Sequence, residues 1–311
     1  MKILVVADAL ESIHSPSDTT IYLTKAALNR GHEVFWATPN GIFLTQSEVG
    51  FQCEPVTLKN GAVKAASRAT LLNVSGVDAA WVRKDPPFDA AYLRLCWLLA
   101  LAERRCWFMN RPSLLLRYHE KLVPAEAVAQ GFLESHEIID NFYKSPAALA
   151  AVLRGRNLKE AVAKPFFGFG GRDIRRVPAE SVTTVATEDT LLQPFHKEVQ
   201  VDGDHRLFFL GGRFIGHVAR MPQPGGFVSN FAQGGHGETR PLRQSQQSVV
   251  AKLGRFLAHV GIDFAGADLI GNHISEVNIT SPTGLVTMES LDGNPYGEWV
   301  LDFVEAQSKS L

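Results

Sequence analysis

Two acidic residues face each other across a predicted β-hairpin near the carboxyl end of the chain. The pattern of residues 266–283 predicts two apolar strands around a tight turn. Glu276 and Asn278 are two positions apart on the return strand, so their side chains face the same way. If the loop is three residues centred on Asn272, Asp268 lies directly opposite Glu276, and the two carboxylates repel each other. A divalent cation would turn that repulsion into coordination, because Mg²⁺ prefers hard oxygen ligands.

These oxygen ligands are too few for a closed metal cage. They suit a Mg²⁺ ion that also binds the phosphates of a nucleotide. Our working hypothesis is that the rest of the chain brings ATP and a substrate carboxylate to this hairpin.

The composition is that of a globular protein and excludes several functional classes. The 311 residues are 45% hydrophobic and 20% charged with a net charge of −1, which gives no electrostatic case for nucleic acid. The longest apolar run, near 95–102, is far shorter than a membrane span. The chain enters its first strand from Met1 without a signal-peptide pattern. The 3 cysteines form no CxxC motif and fit reduced structural residues, so we expect a cytoplasmic protein.

Residues 1–112 show the pattern of one α/β unit. A strand at 2–7 is followed by a helix that Asp18 can cap and by a second strand at 33–38. This β-α-β order predicts a parallel sheet. No G-x-G-x-x-G follows the first strand, so a nicotinamide site is not expected there. Residues 41–58 are predicted to form a short hairpin.

The charged string from Arg83 to Asp89 lies between a predicted strand at 79–83 and a predicted helix at 90–105. Charged residues at the carboxyl end of a strand indicate a ligand site in α/β sheets. A Pro-Pro turn before a capped helix accounts for the same residues, and both interpretations stay open.

A glycine-rich loop at 165–171 follows a predicted strand that ends at Lys164. No Gly-Lys-Ser/Thr follows and no helix begins, so this is not a Walker loop. Its backbone N–H groups could bind phosphates, and a mobile surface turn is the alternative. The apolar strand at 191–195 could present backbone groups to an adenine edge, or could be a simple strand end.

The remaining elements are predicted from periodicity and turn residues. They are a helical region from 113 that includes 120–122, strands at 137–143 and 160–164, a helix at 146–154, a second glycine-loop strand through 174–177, a charged turn at 202–206, strands at 207–210 and 214–219, a helix at 244–260 and a last helix at 295–306. Residues 221–240 lack periodicity and are expected to form a lid loop.

Taken together and in order, these motifs resemble those of the ATP-grasp ligases, and more closely those of the bacterial-type glutathione synthetase family. The match spans nearly the whole chain. The strings that carry it are Arg83-Lys-Asp-Pro-Pro-Phe-Asp89, Glu120-Lys121-Leu122, Lys164-Pro165 with 168–171, Asp202-Gly-Asp204 with Arg206, Arg220-Met-Pro-Gln223, Asn230 with Gly234-Gly235, 237–242, and Glu276-x-Asn278-x-Thr-Ser-Pro-Thr283.

The resemblance implies an α/β and α+β fold class, an ATP-grasp fold with an N-terminal parallel-sheet α/β (pre-ATP-grasp) domain. The implied domains are a substrate-binding domain at 1–112, a middle lobe with the glycine-rich loop at 113–192, and a lobe with metal ligands and the lid loop 221–240 at 193–311. ATP is expected between the last two.

The resemblance also implies roles for individual residues. The ATP site would contain Lys121, Lys164, Gly168, Gly170, Gly171, Gln193, Pro194, Phe195 and Asp202. The metal ligands would be Asp268, Glu276 and Asn278, with Mg²⁺ or Mn²⁺ as the ion. The substrate site would contain Asp18, Arg83, Asn230, Ser281 and Thr283. The catalytic residues would be Arg206 and Arg220, with Arg220 stabilising the oxyanion of the amine step.

The implied reaction joins γ-glutamylcysteine to glycine through an acylphosphate and gives glutathione, ADP and phosphate. The implied partners are these small molecules, with ATP as co-substrate and neither nucleic acid nor membrane, in a homo-oligomer that is often a tetramer. Two alternatives remain: a related ligase with another peptide or amino-acid pair, and a nucleotide-binding module without catalysis.

Departures from the family pattern cluster around the substrate and leave the substrate pair open. They are Pro16-Ser17 where a Lys pair is usual, a lid segment Gly226-Phe227-Val228-Ser229 without its Arg, His236 in place of an Arg, and Gly284 in place of a Cys.

Overall fold

The structure is a computed structural model that describes residues 1–13, 17–46, 48–66, 68–85, 87–185 and 189–309. Two residues of the predicted substrate loops, Pro16 and Pro86, lie outside this range. The described residues form three sheets with helices packed on them. None of the helices in these ranges combines the length and apolar character that crossing a bilayer requires.

The first sheet contains the predicted parallel β-α-β unit. Its elements are β1 (Lys2–Val6), α1 (Thr19–Asn29), β2 (Glu33–Thr45), β3 (Glu48–Lys59), β4 (Ala62–Ala65), β5 (Thr70–Asn73), β6 (Ala79–Val82), α2 (Ala90–Ala100) and β7 (Trp107–Met109). The strand order is β4-β3-β2-β1-β6-β7, with β5 on β3, and β1 runs parallel to β2 and β6. Asp18 caps α1 as predicted, because its carboxylate accepts a hydrogen bond from the Ile21 N–H at 2.8 Å.

The second sheet is antiparallel and carries the glycine-rich loop. The part of the chain that leads into and builds it contains α3 (Pro112–Arg117), α4 (Val123–Ala129), β8 (Phe142–Tyr143), α5 (Pro146–Gly155), β9 (Glu160–Pro165), β10 (Arg175–Pro178), α6 (Val182–Val185) and β11 (Thr190–Pro194). Helix α3 packs against α2, and α4 packs against a strand of the third sheet. The strand order is β10-β9-β11-β8. The loop between β9 and β10 is the predicted glycine-rich hairpin.

The third sheet contains the acidic hairpin. Its region contains α7 (Glu198–Val201), β12 (Asp204–Leu210), β13 (Arg213–Met221), β14 (His236–Glu238), α8 (Gln244–Val260), β15 (Phe264–Ile270), β16 (His273–Asn278), α9 (Leu285–Asp292) and α10 (Tyr296–Ser308). The strand order is β14-β13-β12-β15-β16. Because β12 lies between β13 and β15, three strands bring charged side chains next to one another.

Several sequence-based predictions of local structure were wrong. Residues 120–122 lie in a turn between α3 and α4, because the helix restarts with Pro124 in the first turn of α4. The predicted turn at 202–206 is largely strand, because β12 begins at Asp204 and pairs on both sides. The predicted strand at 137–143 is limited to β8, apart from a single bridge between Ile138 and Ile274.

The remaining corrections lengthen or shorten elements. The hairpin predicted at 41–58 is part of β2 and β3, and β2 continues through a bulge from Glu33. Helix α2 ends at Ala100, short of 105. The lid loop 221–240 contains β14, which pairs with β13 and so is not entirely irregular. Helix α9 was not predicted.

Asn110, the residue after β7, ties the first sheet to the acidic hairpin. Its side chain is buried, and its amide nitrogen donates to the carbonyls of Phe264 at 2.5 Å and Ile279 at 2.6 Å. Its amide oxygen accepts from the N–H groups of Asp263 and Phe264, both at 2.9 Å. The hairpin is therefore held against the first sheet by polar contacts as well as by apolar packing.

Candidate active site

The acidic hairpin has the register that the sequence predicts. Asp268 on β15 pairs with Glu276 on β16. The loop differs from the prediction, because Ile270 pairs with His273 and only residues 271–272 lie in the turn. A bulge between Asp268 and Leu269 shifts the register and compensates for the shorter loop.

Asp268 is the centre of a buried ion network. Arg206 Nε lies 2.6 Å from Asp268 Oδ1, and Arg220 Nη2 lies 2.8 Å from Asp268 Oδ2. Arg220 Nη2 also donates to Asp204 Oδ2. Burial would raise the pKa of Asp268, but Arg206 and Arg220 lower it to about 2. Asp268 is therefore ionised at neutral pH.

The strand pattern places these charges together. Asp204 and Arg206 are two positions apart on β12 and face the same side. Asp204 pairs with Arg220 across one edge of β12, and Arg206 pairs with Asp268 across the other. Asp204 was missing from the predicted site, although the alternation of Asp204 and Arg206 would have indicated it once 202–206 was assigned to a strand.

Two lysines approach the hairpin from the second sheet and the preceding turn. Lys164 Nζ lies 3.3 Å from Glu276 Oε2. Lys121 Nζ donates to Glu120 Oε1 and to the Gly168 carbonyl, both at 2.6 Å. Burial opposes ionisation of Glu276, but Lys164 and Lys121 hold the pKa of this carboxyl below its usual value. Both carboxylates of the hairpin are therefore ionised and faced by cations.

A cavity with an empty volume of about 600 Å³, part of it open to solvent, lies beside the hairpin. One group of lining side chains is apolar or aromatic: Ile139, Val162, Ile174, Pro194, Phe195, Val199, Phe227 and Val228. The other group is polar: Lys164, Gln193, Asp204, Ser229, Asn230, Asp268 and Glu276. A cavity with one apolar lining and one mainly acidic lining suits a ligand with a flat apolar part and a part that carries a cation.

The predicted adenine segment, Gln193 to Phe195, lines this cavity. The Gln193 amide donates to Asn141 Oδ1 at 2.7 Å, and the Phe195 N–H donates to the Glu160 carbonyl at 3.1 Å. The Phe195 N–H is thus already used inside the protein.

The glycine-rich loop and the lid are in contact. Gly170 and Gly171 have φ of 64° and 76°, which favours glycine. A Cβ on Gly171 would lie 2.7 Å from Asn230 Oδ1 and 2.8 Å from Val228 Cγ1, so the two segments approach closely. Ser229 Oγ donates to Asp204 Oδ2 at 3.2 Å, and this bond ties the lid to the ion network.

The predicted substrate residues lie around the segment that follows β16. Arg83 is buried and donates from Nη2 to the Pro282 carbonyl at 2.9 Å. Arg206 Nη1 donates to the Thr283 carbonyl at 3.4 Å. Ser281 is buried, and its hydroxyl hydrogen-bonds the Asp85 carboxyl. These positions place the substrate residues next to the ion network, and their roles stay predictions.

Three further predicted residues have other partners in the structure. Asp202 lies 2.8 Å from Arg243 Nη1 and does not line the cavity. Asp18 caps α1. Asn278 Oδ1 accepts from the Thr280 N–H at 3.1 Å. Each of these roles also stays a prediction.

The side-chain oxygens of the hairpin fit a divalent cation that takes its remaining ligands from the phosphates of a nucleotide. In the described ranges no three His, Cys, Asp or Glu side chains form a metal cluster. The hairpin instead offers two ionised carboxylates and one amide oxygen, which are hard donors of the kind Mg²⁺ prefers. Lys164 already forms an ion pair with Glu276.

Two family models match the chain. The model of the N-terminal domain of prokaryotic glutathione synthetase matches residues 1–116, and the model of its ATP-grasp domain matches residues 146–293. A glutathione synthetase from Parasynechococcus marenigrum is 33% identical and covers 97% of this chain and 98% of its own. A glutathione synthetase from Nitrosomonas europaea is 29% identical and covers 98% of both chains.

Solved structures share the fold at low sequence identity. The D-cycloserine synthetase DcsG has a TM-score of 0.63 at 18% identity and covers 99% of both chains. The ATP-grasp ligase PsnB, complexed with a minimal precursor, Mg and ADP, has a TM-score of 0.61 at 14% identity over 99% of this chain and 98% of its own. The predicted ATP-grasp fold with its parallel-sheet α/β unit is confirmed, and the predicted domain boundaries stay predictions.

Proposed function

The chain belongs to the prokaryotic glutathione synthetase family of ATP-dependent carboxylate–amine ligases, and we propose that it joins γ-glutamylcysteine to glycine. In the proposed reaction the substrate carboxylate attacks the γ-phosphate of ATP, and ADP leaves. The amine of glycine then displaces phosphate from the acylphosphate, which gives glutathione. The observation that supports this reaction best is the convergence of cations on the acidic hairpin, beside a cavity with an apolar lining.

The cations lower the main barrier of the first step, which is the repulsion between two anions. A carboxylate and the γ-phosphate are both anions, and their approach is unfavourable unless positive charge lies between them. Lys121 and Lys164 line a second cavity at the glycine-rich loop, and we assign phosphate binding to them. Arg206 and Arg220 are buried, which strengthens their effect on nearby anions. We propose that Arg220 stabilises the oxyanion that forms in the amine step.

Asp268, Glu276 and Asn278 would hold the divalent cation, Mg²⁺ or Mn²⁺. When bound, such an ion neutralises phosphate charge and orients the phosphates. The hairpin residues supply ionised oxygens for it, and the lysines take up the remaining phosphate charge.

The role of the lid is to exclude water from the cavity. A free acylphosphate hydrolyses, so the cavity must be covered during the reaction. In the structure the lid segment at 227–230 lines the cavity, and Phe227 packs edge-on to Phe195 with ring centroids 5.9 Å apart. An apolar lid of this kind excludes water without using a cation.

The test is product formation by the purified protein. Incubation with Mg-ATP, γ-glutamylcysteine and glycine should release phosphate and give glutathione by mass spectrometry. Glu276→Ala should abolish both, whereas Glu33→Ala, which changes an exposed acid at the start of β2, should not. No glutathione after many hours would refute the proposal.

A second candidate is a related ligase with another substrate pair. The lid favours it, because Phe227 and Val228 stand where the family pattern has a cation-bearing segment. An acceptor screen that finds turnover only with glycine excludes this candidate. A module without catalysis is not supported, because the chain belongs to a ligase family and keeps Lys121, Lys164, Asp268 and Glu276.

The proposal also includes the oligomeric state of the protein. The resemblance supports a homo-oligomer, with a tetramer as the expected state. Size-exclusion chromatography with light scattering tests it, and a monomer at micromolar concentration contradicts it.

A further inference from the structure

The lid carries no free positive charge. Residues 221–239 contain neither lysine nor arginine. The two groups at the end of the lid that can be positive are both paired with Glu238. His236 Nε2 lies 3.0 Å from Glu238 Oε1, and Arg240 Nε donates to Glu238 Oε2 at 2.9 Å. An anionic donor therefore finds no unpaired cationic side chain in the lid, and its charge gives the lid little reason to close.

The contacts of the lid lead instead to the elements of the proposed nucleotide site. Gln200, on α7, donates from Nε2 to the Gly226 carbonyl at 3.0 Å. Gln233 Nε2 donates to the Gly170 carbonyl in the glycine-rich loop at 3.4 Å. The bond from Ser229 described above lies between these two contacts. The lid is thus held to the nucleotide side of the site on both sides of residue 227.

Phe227 is the aromatic lid residue that lines the large cavity. It follows Gly225 and Gly226, and the φ of 78° at Gly225 is a conformation that glycine adopts at little cost. The Phe195 ring on the opposite wall is 6% exposed, and the guanidinium carbon of Arg176 lies 4.8 Å from its centroid. One aromatic wall of the cavity is therefore fixed, and the other is carried on a glycine turn that can move it.

We propose that Phe227 contacts the base of the bound nucleotide, so that the base, and not the donor, closes the lid. A ligand closes a lid only if it binds the closed form more tightly than the open form. The base is the flat apolar part of ATP, and Phe227 offers it an aromatic contact that exists only when the lid is closed. This inference rests on the proposed function, keeps γ-glutamylcysteine and glycine as its substrates, and adds the residue that makes closure depend on the nucleotide.

Closure on the nucleotide suits the chemistry of the site. The acylphosphate forms only after ATP has bound, so a lid that closes on the base excludes water before the reactive intermediate exists. A lid that relied on the charge of the donor would need a cation, which residues 221–239 lack. The apolar segment at 227–228 therefore serves the same purpose by a different contact.

Direct binding tests the inference without turnover. Mg-ADP is titrated calorimetrically into the protein. Phe227→Ala should raise the Kd about 2- to 10-fold, as expected for the loss of one aromatic contact, and Phe227→Tyr, which keeps the ring, should restore it. Trp97→Ala removes an aromatic side chain that is 60% exposed on α2 and should leave the Kd unchanged. A Kd that Phe227→Ala leaves unchanged, or that Phe227→Tyr raises equally, overturns the inference.

Amide hydrogen exchange shows which ligand closes the lid. Mg-ADP alone should slow exchange in residues 225–230 at least about 2-fold, whereas γ-glutamylcysteine alone should not. In Phe227→Ala the slowing by Mg-ADP should largely disappear. Equal slowing by γ-glutamylcysteine alone, or full slowing by Mg-ADP in Phe227→Ala, contradicts closure by the base.

Turnover separates this inference from the proposed function. In the glutathione assay, Phe227→Ala should raise the KM for ATP about 2- to 10-fold and leave the KM for γ-glutamylcysteine unchanged. If glutathione forms but the variant raises only the KM for γ-glutamylcysteine, the inference fails and the proposed function stands. If the ADP and exchange results are as expected but no glutathione forms, the inference stands and the proposed function fails.

Discussion

Replacing Asp268 with Asn tests whether the buried ion network determines the stability of the ligand-free protein. Asp268, Arg206 and Arg220 are 5%, 5% and 3% exposed, and the arginine nitrogens lie 2.6–3.3 Å from the carboxylate. Removing one partner of a buried ion pair costs about 3–5 kcal/mol, because an uncompensated charge remains. Asn keeps one acceptor oxygen, so we expect the free energy of unfolding at pH 7 to fall by about 2–4 kcal/mol.

The pKa of Asp268 gives an independent figure. Burial would raise the pKa, but Arg206 and Arg220 lower it from 3.8 to about 2. That fall corresponds to about 2 kcal/mol of stability at neutral pH. Because the folded pKa lies below the unfolded value, this stability is fully present above about pH 4 and is lost as the pH falls toward 2.

Asp204→Asn is the matched control, because Asp204 is equally buried and also contacts Arg220. Burial, opposed by Arg220, raises the pKa of Asp204 from 3.8 to about 6. A folded pKa above the unfolded value means that the charge lowers stability once the pH exceeds the folded pKa. Asp204→Asn should therefore cost less than Asp268→Asn at pH 7, because Arg220 keeps its ion pair with Asp268 and the Asp204 charge is itself opposed by burial.

The assay for both variants is urea denaturation followed by circular dichroism, in EDTA and without nucleotide, so that only the ligand-free protein is measured. The linear extrapolation gives the free energy of unfolding of each variant. Equal losses in the two variants refute the reasoning, as does a loss below about 1 kcal/mol for Asp268→Asn.

Three further predictions concern the lid, the glycine-rich loop and pH. Ser229→Ala removes the hydrogen bond to Asp204 and should raise the KM for ATP about 2- to 10-fold in a phosphate-release assay; an unchanged KM contradicts the lid contact. Gly171→Ala should lower kcat at least about 10-fold and should also lower the Tm, because the new Cβ meets Val228 and φ is 76°; an unchanged kcat contradicts the contact between loop and lid. Burial raises the pKa of Asp263 to about 6, so Asp263→Asn should raise the Tm at pH 8 and leave it unchanged at pH 4; the opposite order would contradict the sign.

Local patterns were sufficient for elements with strong periodicity and clear ends. Helix α8 has the predicted bounds because its apolar period is regular and Gly261 ends it with φ of 76°. The pairing of Asp268 with Glu276 was also predictable, since a hairpin brings nearby residues together. The turn at 120–122 was not predictable, because the helical spacing of apolar residues continues across the break that Pro124 creates.

The sequence alone determined the family, the acidic hairpin and the identity of the lysines and arginines expected near it, because these depend on motifs and on the two-residue period of strands. Tertiary structure decided which strands are neighbours. Arg206 meets Asp268 only because β12 lies beside β15, and Asp204 joins them only because β13 lies on the other side. The cavity lined by Phe88, Glu120, Phe167 and Thr280 is built from four distant segments, and no local pattern indicates that they meet. Sheet order follows from the burial of whole faces, which is a property of the folded chain and not of any short stretch of it.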